Sequence, residues 1–289
     1  MVMSEGRRPE EAGVRIEEAF LAAKTGRAED CEDRIAPLPF VAVIDGATSK
    51  TDMRWQGQAG GQICAEIVQA VLSEPGSLAA SAREVVDEMT RRVQEFYRAH
   101  DLLETVRRAP EQRLTASFVA YNSRRGEIWM VGDCQCLLDG QLIVNRKRVD
   151  EVIGAARALF LESELALGRT LEELRAEDSG RAFVLPLLKR QMVFQNNPAA
   201  GAFWFPVIDG FPVPDEGMRV IPVPAGSRSL VLASDGYPVL KPTLAASEQA
   251  LHELLAADPL LFRRYRATKG MTDGLVSFDD RAYVRLSRL

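Results

Sequence analysis

The sequence predicts a single α+β domain in which antiparallel β-sheets are covered by helices. Three observations lead to this prediction. Strand-like segments occur at the start, the middle and the end of the chain, and pairs of helices separate them unevenly. Several predicted strands are joined by tight turns, as in antiparallel hairpins. The sequence lacks the regular alternation of strands and helices that builds a doubly wound parallel sheet.

The first half of the chain has the clearest strand and helix patterns. Residues 14–24 have helical spacing but could also begin as a strand, and the run FVAVI at 40–44 predicts a strand buried on both faces. Residues 58–72 place apolar side chains on one helical face, and a second long helix is predicted from about 78 to 106. Strands joined by turns follow from 114 to 144, with Asp139-Gly140 as a two-residue hairpin.

The second half is predicted to return to helices before the last strands. Residues 149–193 and 244–266 have helical patterns. Between them lies a stretch rich in Pro, Gly and aromatic residues, which we interpret as a flap-like insertion around residues 194–217. A plain surface loop is an equal alternative. The remaining strands are predicted in MRVIPV, RSLVLAS and RAYVRLS.

The composition is that of an ordinary globular protein. The 289 residues are 46% hydrophobic and 27% charged, and the formal net charge of −5 argues against nucleic acid as a partner. No apolar run approaches the roughly 20 residues of a membrane span, and the charged N-terminus has no apolar signal segment. We therefore expect a cytoplasmic protein that does not bind membranes, with residues 1–13 as a flexible tail and residues 14–289 as one domain.

Histidine and cysteine offer no metal-binding pattern. The only histidines, His100 and His252, each stand alone in a helical stretch, and the four cysteines have no zinc-site spacing. Cys134 and Cys136 would share one face of a strand, as buried core thiols. Any metal site must therefore be built mostly from oxygen ligands, which favours Mg²⁺ or Mn²⁺.

Five Asp-Gly dipeptides differ in their context. Asp45 and Asp235 each end a continuous apolar run, in FVAVI-DG and LVLAS-DG, and no returning strand follows at once. Asp139 is a hairpin turn, whereas Asp209 and Asp273 lie in loop-like sequence. An aspartate at the end of a buried strand is held rigidly, as a metal ligand must be, and the next glycine lets its carbonyl approach a ligand.

Further acidic residues lie at predicted strand edges, in Glu32-Asp33, Gly132-Asp133 and Asp279-Asp280. Carboxylates gathered in one place repel one another and raise their own pKa values, and divalent cations relieve that repulsion. The residues alone leave two interpretations open: one metal-binding cluster, or separate aspartates that cap strands at the surface.

The order of these motifs resembles the metal-dependent protein phosphatases of the protein phosphatase 2C type. The matching segments lie between about residue 14 and residue 289, and they are Arg27 with Glu32-Asp33, Asp45-Gly46, LTASFVA with Gly132-Asp133, LVLASDG, and Asp279-Asp280. The resemblance implies a bacterial family member with a four-layer αββα sandwich, two antiparallel sheets between helix pairs. It also implies hydrolysis of phosphoserine and phosphothreonine esters, in a phosphorylated protein or a small phosphoester, through a water that bridges two Mg²⁺ or Mn²⁺ ions.

The resemblance further implies roles for single residues. Asp45 would bridge the two ions, the Gly46 carbonyl would bind one of them, and Asp235 and Asp279 would bind the other. Asp33 would hold metal-bound water.

Substrate contacts are implied as well. Arg27 would bind the substrate phosphate with its planar fork of donors. Apart from the resemblance, we hypothesise that the aromatic residues Phe203, Trp204 and Phe205 of the predicted flap contribute to specificity.

The chain departs from the family pattern at several positions. Many members carry a histidine after the first Asp-Gly as the acid for the leaving group, whereas this chain has Ala47 at that position. Metal-bound water or Lys50 would then serve as the acid. Lys50 could instead contact the substrate phosphate. Asp133 matches one ligand of a third metal, but Val239 replaces its second aspartate, which argues against a third ion. The spacing from Arg27 to Asp33 is one residue longer than in familiar members.

These departures keep two alternatives open. One is a catalytically weak phosphatase-like module that binds a partner or a phosphorylated ligand. The other is a haloacid-dehalogenase-type phosphohydrolase with Asp45 as the nucleophile, although that family has a second aspartate two residues on, where this chain has Ala47.

Overall fold

The computed structural model describes residues 13–37, 40–51, 53–55 and 57–289, and it contains two antiparallel sheets. The predicted N-terminal tail, Gly13 apart, lies outside the described residues. Sheet A has the strand order β1-β10-β9-β6-β7, and sheet B has the order β2-β3-β4-β5-β8. The strands are β1 (Arg15–Ala22), β2 (Arg34–Ala36), β3 (Phe40–Gly46), β4 (Ala116–Asn122), β5 (Glu127–Val131), β6 (Gln135–Leu138), β7 (Gln141–Val144), β8 (Met218–Pro222), β9 (Ser229–Ala233) and β10 (Arg281–Ser287).

Strand β3 shows how the two sheets and the helices share one core. Side chains alternate between the faces of a strand. Val41 and Val43 accordingly pack in one cluster with Leu232 of sheet A, whereas Phe40 and Ile44 belong to the core beneath the helices. The strand is buried on both faces, as the unbroken apolar run predicted.

Helices lie on the outer side of each sheet. The outer face of sheet B packs against α1 (Gly60–Ser73) and α2 (Ala82–Ala99), which are followed by α3 (Leu103–Arg108). The sequence 149–193 forms α4 (Arg148–Ala166), α5 (Leu171–Ala176) and α6 (Ser179–Arg190), and α4 packs against α6. Leu244, at the start of α7 (Leu244–Ala257), packs on the outer face of sheet A. The predicted α+β sandwich of two antiparallel sheets with flanking helices is confirmed. No helix within the described ranges is long and apolar enough to cross a membrane.

Two local predictions are resolved by the hydrogen-bonding pattern. Residues 14–24 fit either a helix or a strand from sequence, and they contain the edge strand β1. The hairpin at Asp139-Gly140 is confirmed, because β6 pairs with β7 and both turn residues have positive φ, 47° and 88°.

The helix predicted over residues 244–266 was wrong in its second half, because α7 ends at Ala257. Pro259 disfavours a helical conformation for the residue before it, Asp258. The Asp258 side chain instead accepts hydrogen bonds from the backbone N–H groups of Arg263 at 2.9 Å and Arg264 at 2.7 Å. Side-chain bonds of this kind compete with the helix and fold the chain into a tight loop.

The segment predicted as a flap packs against the body of the protein. Ile208 exchanges two backbone hydrogen bonds with Ala116, at 2.9 and 3.0 Å. Phe205, Val207 and Ile208 are buried, whereas Phe203 is exposed. This segment forms one wall of the cavity described next.

Candidate active site

Aspartates from four strand ends meet at one end of the sandwich. Asp45 lies near the end of β3 in sheet B, and Asp133 follows β5 of the same sheet. Asp235 follows β9 and Asp279 precedes β10, and these two strands are neighbours in sheet A. All four aspartates line one cavity of about 110 Å³. The structure thus brings together four of the carboxylates for which the sequence left open either one cluster or separate strand caps.

Glycines let the backbone segments around these aspartates approach closely. A Cβ atom on Gly46 would lie 2.5 Å from the backbone oxygens of Glu32 and Gly61, and one on Gly236 would lie 2.0 Å from the backbone oxygen of Asp280. Gly61 is in the first turn of α1. The glycine of each strand-end Asp-Gly is therefore required for steric reasons, because a side chain there would push apart the segments that carry the carboxylates.

Of these four aspartates, Asp45 and Asp235 are the two whose carboxylates have no partner among the described residues. Neither side chain forms a hydrogen bond or an ion pair with any residue that the structure describes. Burial, reinforced by Asp235 and Asp33, raises the pKa of Asp45 well above its ordinary value. Burial, reinforced by Asp279 and Asp133, raises the pKa of Asp235 to about 7. The aspartates at this point of the cavity repel one another, and nearby basic residues do not fully offset this repulsion. A bound cation would relieve it.

Asp279 and Asp133 are instead paired with lysines. The Lys269 Nζ lies 2.5 Å from the Asp279 Oδ2, and the Lys147 Nζ lies 2.6 Å from the Asp133 Oδ2. Burial acts to raise the pKa of Asp279, but Lys269 and Lys24 outweigh it and hold that pKa below its ordinary value. Two of the four carboxylates are thus already engaged by cations of the chain.

Asp33 and Asp280 are buried near the cavity without lining it. Burial, reinforced by Asp280, raises the pKa of Asp33 well above its ordinary value, and the Asp33 Oδ2 has no hydrogen-bond partner among the described residues. Asp280 accepts hydrogen bonds from the backbone N–H of Lys24 at 2.8 Å and of Glu32 at 2.9 Å. The second aspartate of Asp279-Asp280 therefore ties the segment after β1 to the start of β10.

Lys50 and Arg27 lie in different surroundings. Lys50 lines the cavity and donates a hydrogen bond to the Thr48 carbonyl. Burial, together with the nearby charges of Arg181 and Lys269, lowers the pKa of Lys50 to about 7. The Arg27 side chain is 67% exposed, pairs with Asp30 at 2.6 Å and does not line the cavity. The structure does not bring Arg27 to the carboxylates.

Several cavity residues escaped the sequence reasoning, and most are basic or amide side chains. No motif marks them, because each comes from a helix or loop whose position depends on how residues 148–205 fold back over the sheet ends. For Lys147, Arg181 and Lys269 the positive charge was the available signal, but basic residues are spread along the whole chain. These residues are Lys147, Asp150, Arg181, Gln191, Gln195 and Lys269.

The donor chemistry of the cavity fits a hard divalent cation. The unpartnered carboxylates of Asp45 and Asp235 and the orphaned, buried Asp33 Oδ2 are oxygen donors of the type that Mg²⁺ and Mn²⁺ take. In the part of the chain that the structure describes, no three acidic, histidine or cysteine side chains are close enough to hold an ion. A cation that used Asp279 would have to compete with Lys269 for it.

Comparison with known proteins gives a likeness of fold. No family model matches the sequence, and no curated protein matches it. Among solved structures, the serine/threonine phosphatase Stp1 from Staphylococcus aureus is 14% identical, with coverage of 98% of this chain and 99% of that one and a TM-score of 0.47.

Two further solved structures are similar over the same extent. The catalytic domain of the serine/threonine protein phosphatase PstP in complex with two manganese ions is 19% identical, covering 95% and 97% of the two chains, with a TM-score of 0.47. RsbX in complex with magnesium is 10% identical, covering 95% and 99%, with a TM-score of 0.45.

Proposed function

We propose that this protein is a phosphatase that hydrolyses phosphoserine or phosphothreonine esters with the help of two Mg²⁺ or Mn²⁺ ions. The observation that carries the proposal is the convergence of Asp45, Asp133, Asp235 and Asp279 on one cavity, with Asp45 and Asp235 lacking a partner among the residues that the structure describes. Like charges gathered without partners in a half-buried cavity are costly to maintain, and their perturbed pKa values are typical of functional sites.

Each acidic residue has a place in this proposal. Asp45, the Gly46 carbonyl, Asp235 and Asp279 would hold the two ions. Asp33 would support them from behind the cavity through its unpartnered Oδ2. Asp133 is held by Lys147, and Val239 is exposed, so we assign no third ion.

When bound, such ions offset the negative charge of the phosphate and lower the pKa of water. The chain itself supplies other functions. Lys50, with a pKa of about 7 that results mainly from burial, can hold or release a proton near neutral pH. Phe205 and Val207 add apolar surface to the cavity wall and so exclude water from part of it.

A larger cleft adjoins the carboxylates and offers space for the substrate. A cleft of about 490 Å³ shares Asp133, Asp235 and Asp279 with the smaller cavity, and it is lined also by Tyr237 and Tyr265. This space would accept a segment of a phosphorylated protein beside the ester as well as a small phosphoester. All four cysteines are buried free thiols, which suits the reducing cytoplasm that we propose as the location.

A second candidate function is a phosphatase-like module that binds a ligand but turns over slowly. The ion pairs of Lys269 with Asp279 and of Lys147 with Asp133 favour it, because they occupy two of the four carboxylates. The dehalogenase-type alternative loses support, because every strand pair of both sheets is antiparallel, whereas that family has strands alternating with helices.

One assay separates these possibilities. Hydrolysis of p-nitrophenyl phosphate and of a phosphothreonine peptide would be measured with Mn²⁺ for the wild type, Asp235→Asn and the matched control Asp273→Asn, which changes an exposed Asp-Gly. The phosphatase proposal expects metal-dependent turnover that only Asp235→Asn removes. Tight Mn²⁺ binding without turnover would support the binding module, and a phosphoryl group trapped on Asp45 would support the dehalogenase type.

A further inference from the structure

We propose that Arg181, assisted by Lys50, Gln191 and Gln195, forms the phosphoryl-binding wall of the cavity. The inference rests on the proposed phosphatase function and names the side chains that bind the transferred group. The sequence motifs gave this role to Arg27, which lies elsewhere.

Arg181 is placed firmly at the cavity. It lies in the first turn of α6, and its backbone N–H donates to the Asp178 Oδ1 at 2.8 Å. The Asp178 Oδ2 in turn accepts from Arg157 at 2.7 Å and from the Gly270 N–H at 3.2 Å. The start of α6 is therefore fixed to the loop that carries Lys269.

Several N–H donors of the Arg181 guanidinium form no hydrogen bond with the described residues. Its Nη1 donates to the Thr268 carbonyl at 3.0 Å and to the Thr268 Oγ1 at 3.2 Å. Within the described residues it forms no other hydrogen bond and no ion pair. A guanidinium has five N–H donors in a planar fork that matches two phosphate oxygens. Arg181 thus lines the cavity with unused donors of the right geometry.

Three cations, Arg181, Lys50 and Lys269, face this part of the cavity together with one carboxylate, Asp150. Among the described residues, the Lys50 Nζ donates a hydrogen bond to the Thr48 carbonyl and to no other group. Burial and the charges of Arg181 and Lys269 lower the pKa of Lys50 to about 7, which means that these cations lie close enough to repel one another. An anion between them would relieve that repulsion.

Two buried amides complete the polar surface. Gln191 is 7% exposed and Gln195 is 4% exposed, both line the cavity, and the Oε1 of each has no hydrogen-bond partner among the described residues. A buried polar atom without a partner is unfavourable unless a ligand or water satisfies it. A carboxamide can also rotate to present its NH₂ group, so each glutamine can donate to a phosphate oxygen.

The size of the cavity limits what can bind against this wall. About 110 Å³ corresponds to the volume of roughly three to four waters. This space suits a phosphoryl group with its ester oxygen, and the rest of a larger ligand would have to lie in the adjoining cleft.

The test measures the binding of inorganic phosphate to the Mn²⁺-loaded protein by isothermal titration calorimetry. Three variants are compared with the wild type: Arg181→Gln, Arg27→Gln and Arg190→Gln, the last an exposed arginine of the same helix. We expect Arg181→Gln to raise the Kd for phosphate roughly tenfold to a hundredfold, because it removes charge-assisted hydrogen bonds. Both controls should stay within about twofold of the wild type. Arg181→Lys, which keeps the charge but not the fork, should be intermediate.

The outcomes separate this inference from the proposed function. A wild-type Kd in Arg181→Gln, an equal loss in Arg27→Gln, or no phosphate binding by the wild type would overturn the phosphoryl-binding wall. Turnover of p-nitrophenyl phosphate alongside an unchanged Kd would leave the phosphatase proposal standing without this wall. Arg181-dependent phosphate binding without any turnover would retain the wall and reject the phosphatase. If Arg181→Gln does not fold, as judged by circular dichroism, Arg181→Lys decides: a Kd at the wild-type value then counts against the wall.

Discussion

Asp209 and Asp235 share the dipeptide Asp-Gly and a raised pKa, but Asp209 is fully buried, whereas Asp235 is partly exposed at the cavity, and their hydrogen-bond partners differ. The Asp209 carboxylate accepts hydrogen bonds from the side chains of Arg113 and Asn196 and from the Phe211 N–H, each at 3.0 Å. The Asp235 carboxylate has no such partner within the described residues.

The pKa values alone would not separate the two aspartates. Burial raises the pKa of Asp209 to about 6 despite Arg113, and burial with Asp279 raises that of Asp235 to about 7. The comparison teaches that a raised pKa does not identify a functional aspartate. The absence of hydrogen-bond donors around a cavity carboxylate does, because a buried carboxylate that serves the fold, such as that of Asp209, is ordinarily satisfied by the protein.

The largest expected effect concerns turnover. Asp235→Asn should lower kcat/KM for p-nitrophenyl phosphate with Mn²⁺ by at least about a hundredfold. The substitution weakens the binding of a cation that would lower the activation free energy by several kcal/mol. Asp209→Asn should leave the rate per folded molecule within a few-fold. Steady-state kinetics normalised to the folded fraction check both values. An equal loss in the two variants would erase the distinction between them.

The next effect concerns stability. Asp209→Ala leaves Arg113, whose side chain is only 13% exposed, without its carboxylate. Breaking a buried ion pair in this way should cost about 3 kcal/mol or more in the free energy of unfolding. Urea denaturation measures this loss, and Asp235→Ala in EDTA serves as the comparison, since it removes no partner. A larger loss of unfolding free energy in Asp235→Ala than in Asp209→Ala would contradict the structural role of Asp209.

Lys269 tests whether the chain's own cations restrain metal binding. Lys269→Met frees Asp279 from an ion pair of 2.5 Å, so the affinity for Mn²⁺ should rise roughly tenfold. Calorimetric titration with Mn²⁺ alone gives this value without an activity assay. Lys189→Met, at an exposed position of α6, is the control. A weaker affinity in Lys269→Met would show that the lysine supports the ion instead.

The smallest expected effect is a pH dependence in the metal-free protein. The Asp235 pKa is raised in the fold from 3.8 to about 7, chiefly by burial, so the folded state binds more protons than the unfolded state between these values. The free energy of unfolding should therefore fall as the pH rises from about 4 to 7. In Asp235→Asn this fall should be smaller by at least about 1 kcal/mol. Urea unfolding in EDTA at several pH values measures the difference, and identical profiles would refute the raised pKa.

The two halves of the site differ in how far the sequence reveals them. The strand-end aspartates could be predicted because an apolar run that stops at Asp-Gly is a local pattern, and both Asp45 and Asp235 line the cavity. The cationic wall could not be predicted, because Arg181 and Lys269 meet there only through tertiary contacts such as the bond from Arg181 to Thr268.

The fold shows the same division. Alternation and turns revealed the hairpin at Asp139-Gly140, and the apolar run revealed the buried strand β3. The end of α7 was missed, because it depends on the Asp258 side chain competing for backbone N–H groups.

The location of the aspartates on both sheets links ligand binding to folding. Asp45 belongs to sheet B, whereas Asp235 and Asp279 flank strands of sheet A. An ion held between Asp45 and an aspartate of sheet A would act as a cross-link between the sheets and would stabilise only chains in which both sheets have formed and docked in register. The change in melting temperature on adding Mn²⁺ would then report the assembly of the whole sandwich, and no fragment that contains one sheet alone would bind the ion in the same way.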